Sequence, residues 1–341
     1  MISSMNRLLL IGPNFHYFLS SIARAFRTLE WEVKVCAYDN PVHPYNRLNK
    51  VLYKLSPDKQ ALRQRSREQY RPFIEKTFRD FRPAVTFIVN GDNLLPQTVK
   101  TFAQSSRVGI WLFDSITRMP ECLPCLPFAR RVFCYEQEDI PQLKRQYNID
   151  ALFLPQAVDE TLYYPLNTPA EKMWDIVFAG DIFHSTKRRE IIQKVVSRYA
   201  DRRIRVWGIY KPWFKNPWLW LTRERKDIYT NCNATADTLN RDYNRARIVL
   251  NIHHEQQRNG ANPKVYEIAA AGAYQICDAN PYIEQLFPNT EVGLYRNEQE
   301  LFALIDQALT RDMSPNAQAA HQIVSAHHTF TCRMQQMLDN L

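Results

Sequence analysis

The sequence predicts an α/β protein made of two doubly wound, Rossmann-like domains, and three observations predict it. Short apolar runs ending in Gly or a polar residue alternate with longer amphipathic stretches, the pattern of βαβ units on a parallel sheet. At 341 residues the chain exceeds one ordinary domain and suits two, each able to bury its own core. A Pro-rich connection, Leu154-Pro155-Gln156-Ala157-Val158-Asp159 and Tyr164-Pro165-Leu166-Asn167-Thr168-Pro169, separates two such alternating series.

Each element follows from its local pattern. Arg7-Leu8-Leu9-Leu10-Ile11-Gly12 reads as a buried strand, Phe18 to Leu29 as a helix, and Glu32-Val33-Lys34-Val35-Cys36 as a second strand, so the chain opens β-α-β. After basic helical sequence over 56–80, strands are expected at Ala84 to Asp92, Val108 to Asp114 and Arg131 to Tyr135. The second series opens with the strand Trp174 to Gly180 and a polar loop, and Lys187-Arg188-Arg189 then leads into the helix Glu190 to Tyr199. Further strands are expected at Arg202 to Gly208, Ala246 to Ile252 and Ala273 to Asp278, with an amphipathic stretch at Leu301 to Leu309. The expected domains are 1–157 and 158–318, followed by a helical tail over 319–341.

Composition narrows the function classes. Hydrophobic residues at 45% and charged residues at 23% are ordinary for a globular chain. No apolar run approaches the roughly 20 residues needed to span a bilayer, and the N-terminus lacks a signal-peptide pattern. A cytoplasmic location is expected. Seven cysteines without framework spacing suggest reduced thiols. Cys122-Leu123-Pro124-Cys125 is a lone CxxC, too little for a zinc site without further ligands, and the expected metal content is none.

The net charge of +9 is unevenly placed, with eleven basic residues against four acidic ones between Arg47 and Arg82. A second basic stretch over 210–226 interleaves Trp213, Trp218 and Trp220 with Lys211, Lys215, Arg223, Arg225 and Lys226. Indole rings with neighbouring cations suit the headgroup region of an anionic membrane, so both segments are candidates for docking on the inner face of the cell membrane. The Trp stretch equally suits an inserted loop whose rings cover a core, which is the commoner arrangement. The chain offers no recognised nucleic-acid module, and nucleic acid is not an expected partner.

The sharpest site signal is Asn262-Pro263-Lys264-Val265-Tyr266-Glu267-Ile268-Ala269-Ala270-Ala271-Gly272. Asn262 is a good N-cap and Pro263 suits the first helical position, so a helix is expected to start here. Its free amides and partial positive charge form an anion site, and Lys264 adds a full charge. Glu267, one turn on, can accept hydrogen bonds from the vicinal hydroxyls of a ribose. The same spacing also suits a plain surface ion pair. Gly180 and the Lys187, Arg188 and Arg189 cluster make a second place for phosphate. His16, Asp92 and Asp114 follow the C-terminal ends of first-domain strands, where open parallel sheets bind ligands.

These segments, together with Phe178-Ala179-Gly180-Asp181, Val206-Trp207-Gly208, Leu250-Asn251-Ile252-His253 and His328-Thr329-Phe330, resemble the motifs of GT-B glycosyltransferases. Within these, the chain is most similar to the spore-maturation (CgeB-like) branch, itself similar to the retaining group 1 enzymes. The resemblance implies two Rossmann-like domains facing a cleft, the first on the acceptor side and the second holding the nucleotide sugar, with the last helix over 319–341 crossing back to the first domain, and a UDP- or GDP-sugar as donor substrate, with no separate cofactor. It implies a bacterial surface glycan or glycolipid as acceptor. Glu267 would bind the ribose, Lys264 the diphosphate, and Lys187, Arg188 or Arg189 would neutralise it from the other side. Group 1 enzymes carry a second acidic residue eight positions before the ribose carboxylate, where this chain has Asn259, and Glu255 is the candidate stand-in. If the reaction inverts, Asp114, Asp92 or His16 is the candidate base. The alternative readings are a catalytically silent GT-B scaffold that binds sugar or partner proteins, and a nucleic-acid-binding protein, which the basic segment 47–82 motivates.

Overall fold

The structure is a computed structural model that describes residues 6–14, 17–38, 57–167, 171–209, 227–255 and 257–341. His16, Arg47 to Lys54 and the Trp-rich stretch over 210–226 lie outside the described residues. The chain forms two compact units: Met1–Pro155 with Phe330–Leu341, and Gln156–Thr329.

The first unit is built from β1 (Arg7–Gly12), α1 (Phe18–Thr28), β2 (Glu32–Ala37), α2 (Lys59–Phe81), β3 (Val85–Val89), α3 (Pro96–Ala103) and β4 (Arg107–Leu112). A 3-10 segment (Pro120–Phe128), β5 (Arg131–Cys134), α4 (Asp139–Tyr147) and β6 (Ala151–Phe153) complete its N-terminal part. The strands form one sheet in the order β2-β1-β3-β4-β5-β6, and the pairs are parallel throughout. Leu8 to Ile11 and Val85 to Val89 are buried end to end, because helices cover both faces of such a sheet and leave no polar side.

Tyr70, Ile74 and Phe78 form the buried stripe of α2, and Phe78 stacks on Phe102 of α3. The rest of this basic helix faces water, and several of its cations are already paired, Arg71 with Glu75 at 2.7 Å and Arg63 with Glu121. The last helix of the chain returns to this unit. Phe330 meets Phe18 and Trp111, and the buried Arg333 donates from Nε to the Pro155 carbonyl at 2.9 Å.

The second unit holds β7 (Trp174–Ala179), α5 (Thr186–Arg198), β8 (Ile204–Trp207), α6 (Ala236–Asn244), β9 (Ala246–Asn251) and α7 (Pro263–Ala270). It continues with β10 (Gln275–Asp278), α8 (Pro281–Leu286), β11 (Gly293–Tyr295), α9 (Glu298–Thr310) and α10 (Ser314–His327). Its parallel sheet runs β11-β10-β9-β7-β8. Counted within each unit this repeats the first five places of the first sheet's 2-1-3-4-5-6 order, with switch points at β1/β3 and β7/β9. Right-handed crossovers that leave the switch point in opposite directions put their helices on opposite faces. So α5 lies on one face with α9, tied through Arg198 and Asp306 at 3.1 Å. On the other face, α7 packs against α6 and α10.

The tail differs from its sequence expectation. Residues 319–341 do not form one helix: the chain breaks at His328 and Thr329, so α10 closes in the second unit and α11 (Phe330–Asp339) belongs to the first. The α10 helix ends at His328, whose backbone N–H still bonds Val324, and Val158 donates to the His328 carbonyl at 3.0 Å.

Candidate functional site

The C-terminal ends of β7, β9 and β10 gather most of the residues singled out by sequence. At the end of β9, α7 begins as its sequence prescribes. Asn262 caps it, accepting from the Val265 amide through Oδ1 at 3.2 Å, while its Nδ2 donates to Asn251 Oδ1 at 2.9 Å. One side chain thus fixes both the strand end and the helix start. Ala269, Ala270 and Ala271 are buried, and Gly272 ends the segment at φ 69°, a conformation that favours glycine. Glu267 is 1% exposed, and Lys264 Nζ sits 2.8 Å from its Oε2.

At the end of β7, Gly180 donates its amide to the Trp207 carbonyl at 2.9 Å. Gly208 stands against it with φ 134°, and a Cβ there would fall 2.0 Å from the Gly180 carbonyl oxygen. The loop beyond is held by Asp181, which accepts from the Phe183 and His184 amides and pairs with His184 Nδ1 at 2.6 Å.

The helix α5 starts at Thr186 with Ser185 as its cap, a turn before the expected start at Glu190. Lys187, Arg188 and Arg189 therefore sit inside the first turn and point in different directions, as successive helical residues must. Lys187 Nζ reaches Asp278 Oδ2 at 2.6 Å, Arg188 Nε donates to the Ile252 carbonyl at 2.8 Å, and Arg189 turns back to Thr186 Oγ1 at 3.3 Å.

Two residues change meaning once folded. Glu255 accepts from the Ser185 hydroxyl and from the Lys187 amide, each at 3.0 Å. Burial opposes its ionisation, but these bonds and His254 outweigh that and hold its carboxyl below the usual value. In this conformation Glu255 is the anion at the start of α5. Asn259, at the position where group 1 enzymes carry an acid, fastens its loop to α8 by accepting from the Tyr282 amide at 2.9 Å.

Asp278, the last residue of β10, is the hub that sequence reasoning missed. Its Oδ1 accepts from the His253 amide at 2.8 Å and lies 2.7 Å from His253 Nδ1, while Oδ2 holds Lys187. Burial would raise its pKa, but His253 and Lys187 together drive it well below the ordinary carboxylate range. A strand-terminal Asp next to a proposed phosphate loop is the signal that was available. With Cys277, whose thiol burial pushes well up, His253 and Asp278 form a group of metal-ligating types within 4.8 Å. His253 Nδ1, Cys277 Sγ and Asp278 meet one another, and Asp278 also holds Lys187, whose ammonium would repel a cation, while His253 Nε2 is buried without a hydrogen-bond partner among the described residues.

The first-unit candidates are engaged locally. Asp114, two residues past β4, pairs with Arg118 at 3.2 Å. Asp92 accepts from the Tyr38 hydroxyl at 2.8 Å, and burial raises its pKa against that bond. Burial lifts the Cys122 and Cys125 thiols to about 12, which leaves them protonated rather than ready for metal or nucleophilic chemistry.

Residues 187–339 match the family model described as glycosyl transferase-like. No curated protein matches the sequence. Among solved structures, the chain is similar to a sucrose-phosphate synthase from Thermosynechococcus elongatus, at 12% identity and a TM-score of 0.68 over 98% of both chains. It is also similar to a trehalose 6-phosphate synthase from Burkholderia multivorans, at 10% identity and a TM-score of 0.65 over 98% of both chains. An Anabaena protein solved with UDP and glucose aligns at 12% identity and a TM-score of 0.59, again over 98% of both chains. The two parallel-sheet α/β units have the fold of the GT-B glycosyltransferases, and with the glycosyl transferase-like segment they support a transferase enzyme.

Proposed function

We propose that the protein transfers a sugar from a nucleoside-diphosphate sugar, UDP- or GDP-linked, to a bacterial surface glycan or glycolipid, with retention and without a metal. The observation that carries this reading is the capped start of α7, where a 1% exposed carboxylate is paired with a lysine at 2.8 Å. Such a pair is a prepared exchange. Ribose hydroxyls donate to Glu267 in place of Lys264, and the freed ammonium joins the α7 amides on the diphosphate.

Lys187 supplies charge from α5, across the β7/β9 switch point, where open parallel sheets take their ligands. In the transfer, the bond from the anomeric carbon to the β-phosphate oxygen breaks and the bond to the acceptor oxygen forms. The departing phosphate takes the acceptor's proton, and the lysines stabilise the charge that develops on it. Gly180 and its contact with Gly208 keep the backbone low where the nucleotide passes. Arg188, fastened to the Ile252 carbonyl, and Arg189 supply longer-range positive potential. If the product is inverted, Asp114 or His16 takes the proton instead. The resemblance to the spore-maturation branch supports retention and a surface-glycan acceptor, and the basic segments 47–82 and 210–226 support work at an anionic membrane surface.

Thermal shift with UDP, GDP and CMP tests the donor reading. UDP or GDP at a hundred times its Kd should stabilise the protein by about 2.7 kcal/mol, and Glu267→Ala should abolish that response. No shift with any nucleotide, or an unchanged shift in the variant, overturns it. The product anomer, read by NMR after turnover, decides between retention and inversion.

A further inference from the structure

A pocket of about 300 Å³ lies between α5 and α9 beyond the ends of β10 and β11. Of its lining, Lys187 and Asp278 also belong to the site described above; the transfer reaction gives the rest no role, and the pocket sits on the α5 face of the sheet whereas Lys264 and Glu267 sit on the α7 face. Tyr295, the last residue of β11, lines it. The ring is 5% exposed, and its hydroxyl is buried without a hydrogen-bond partner among the described residues. Such groups are rare in folded proteins because burial without a partner is costly. Burial also pushes this phenol far up, so it remains a donor at every physiological pH.

Cations reach the same space. Lys187 and Lys194, seven residues apart on one face of α5, both line the pocket. Each ammonium has three donors. The side-chain bonds found for them are one each, to Asp278 and to Glu298. With Arg296, which pairs with Glu284, the lining carries three cations, each held by one carboxylate. The remaining wall is apolar, from Ile191, Leu301 and Phe302.

An excess of donors, an orphaned hydroxyl and an apolar wall describe one kind of guest: a small anion rich in acceptor oxygens, carried on an apolar or ring-shaped body. We propose that this pocket is a second ligand site, adjoining the donor site through Lys187, that takes a small organic phosphate monoester. The phosphate meets the α5 lysines and the Tyr295 hydroxyl, and the body lies against Ile191 and Phe302. Phosphate suits the site better than carboxylate because it offers more acceptor oxygens to these convergent donors.

Calorimetric titration with phenyl phosphate, inorganic phosphate and UDP tests the proposal. Phenyl phosphate should bind the wild-type protein, and inorganic phosphate should bind at least tenfold more weakly because it lacks the body. Lys194→Gln and Tyr295→Phe should each weaken phenyl phosphate at least tenfold and leave the UDP response as in the wild type. Glu267→Ala should leave phenyl phosphate unchanged. Absence of phenyl phosphate binding, equal binding of inorganic phosphate, indifference to both pocket variants, or loss in Glu267→Ala each overturns the proposal. If UDP fails to bind while phenyl phosphate behaves as stated, the donor reading falls and this one stands.

Discussion

A methyl group on Gly208 would stand 2.0 Å from the Gly180 carbonyl oxygen, at a φ of 134° that L side chains rarely adopt. Both effects act against any side chain at this position, and the obstacle is backbone, which cannot rotate aside. Gly180 is more forgiving, since its nearest obstacle is the Phe178 ring at 3.0 Å. Gly208→Ala should therefore lower the urea midpoint well beyond Gly180→Ala, by several kcal/mol against about 1 kcal/mol. Urea titration of both variants checks this. The sequence marks Gly208 as part of a motif without saying why. Its partner lies 28 positions earlier on a neighbouring strand, and only the register of β7 on β8 brings the two together.

Among the elements, the joint of β9, β10 and α5 depends on one carboxylate. Asp278 binds the His253 amide and ring from β9's end and Lys187 from α5. Its folded pKa lies below the unfolded value of about 3.9. The sign follows: its contribution is fully present above about pH 4 and fades as pH falls toward the folded value. Asp278→Asn should flatten the acid limb of the stability profile below about pH 4 and lower stability at neutral pH, as measured by urea midpoints at stepped pH. The α7 helix was legible in sequence to its cap, because Asn262, Pro263 and the small-residue run are local signals. The α5 start was misread, because the cations drew attention past Ser185, and Glu255, which shares that cap, is 70 residues away. The 3-10 segment over Pro120–Phe128, with three prolines, and the three-residue strands β6 and β11 carry too little periodicity to be read. Asp278 stood in the sequence as a strand end, but its link to Lys187 spans 91 positions and exists only after folding.

At the scale of the whole molecule, one order of five strands is used twice, but the chain does not divide into two consecutive halves. The first unit draws on 155 N-terminal residues and on Phe330–Leu341. Those last residues are core components: Phe330 is 2% exposed, Met334 and Met337 are fully buried, and Leu341 packs at Gly109. Truncation after Thr329 should destabilise the first unit selectively. Calorimetry should show one transition shifted down or lost, while the transition that responds to UDP keeps its response. The discontinuity also sets an order in time. On the ribosome, residues 156–329 emerge as a complete set and can close their sheet at once. The first unit, although synthesised earlier, must wait for Phe330–Leu341 to leave the exit tunnel. The part made first is finished last, and until then it lacks the contacts that Phe330 makes with Trp111 and Arg333 with the Pro155 carbonyl.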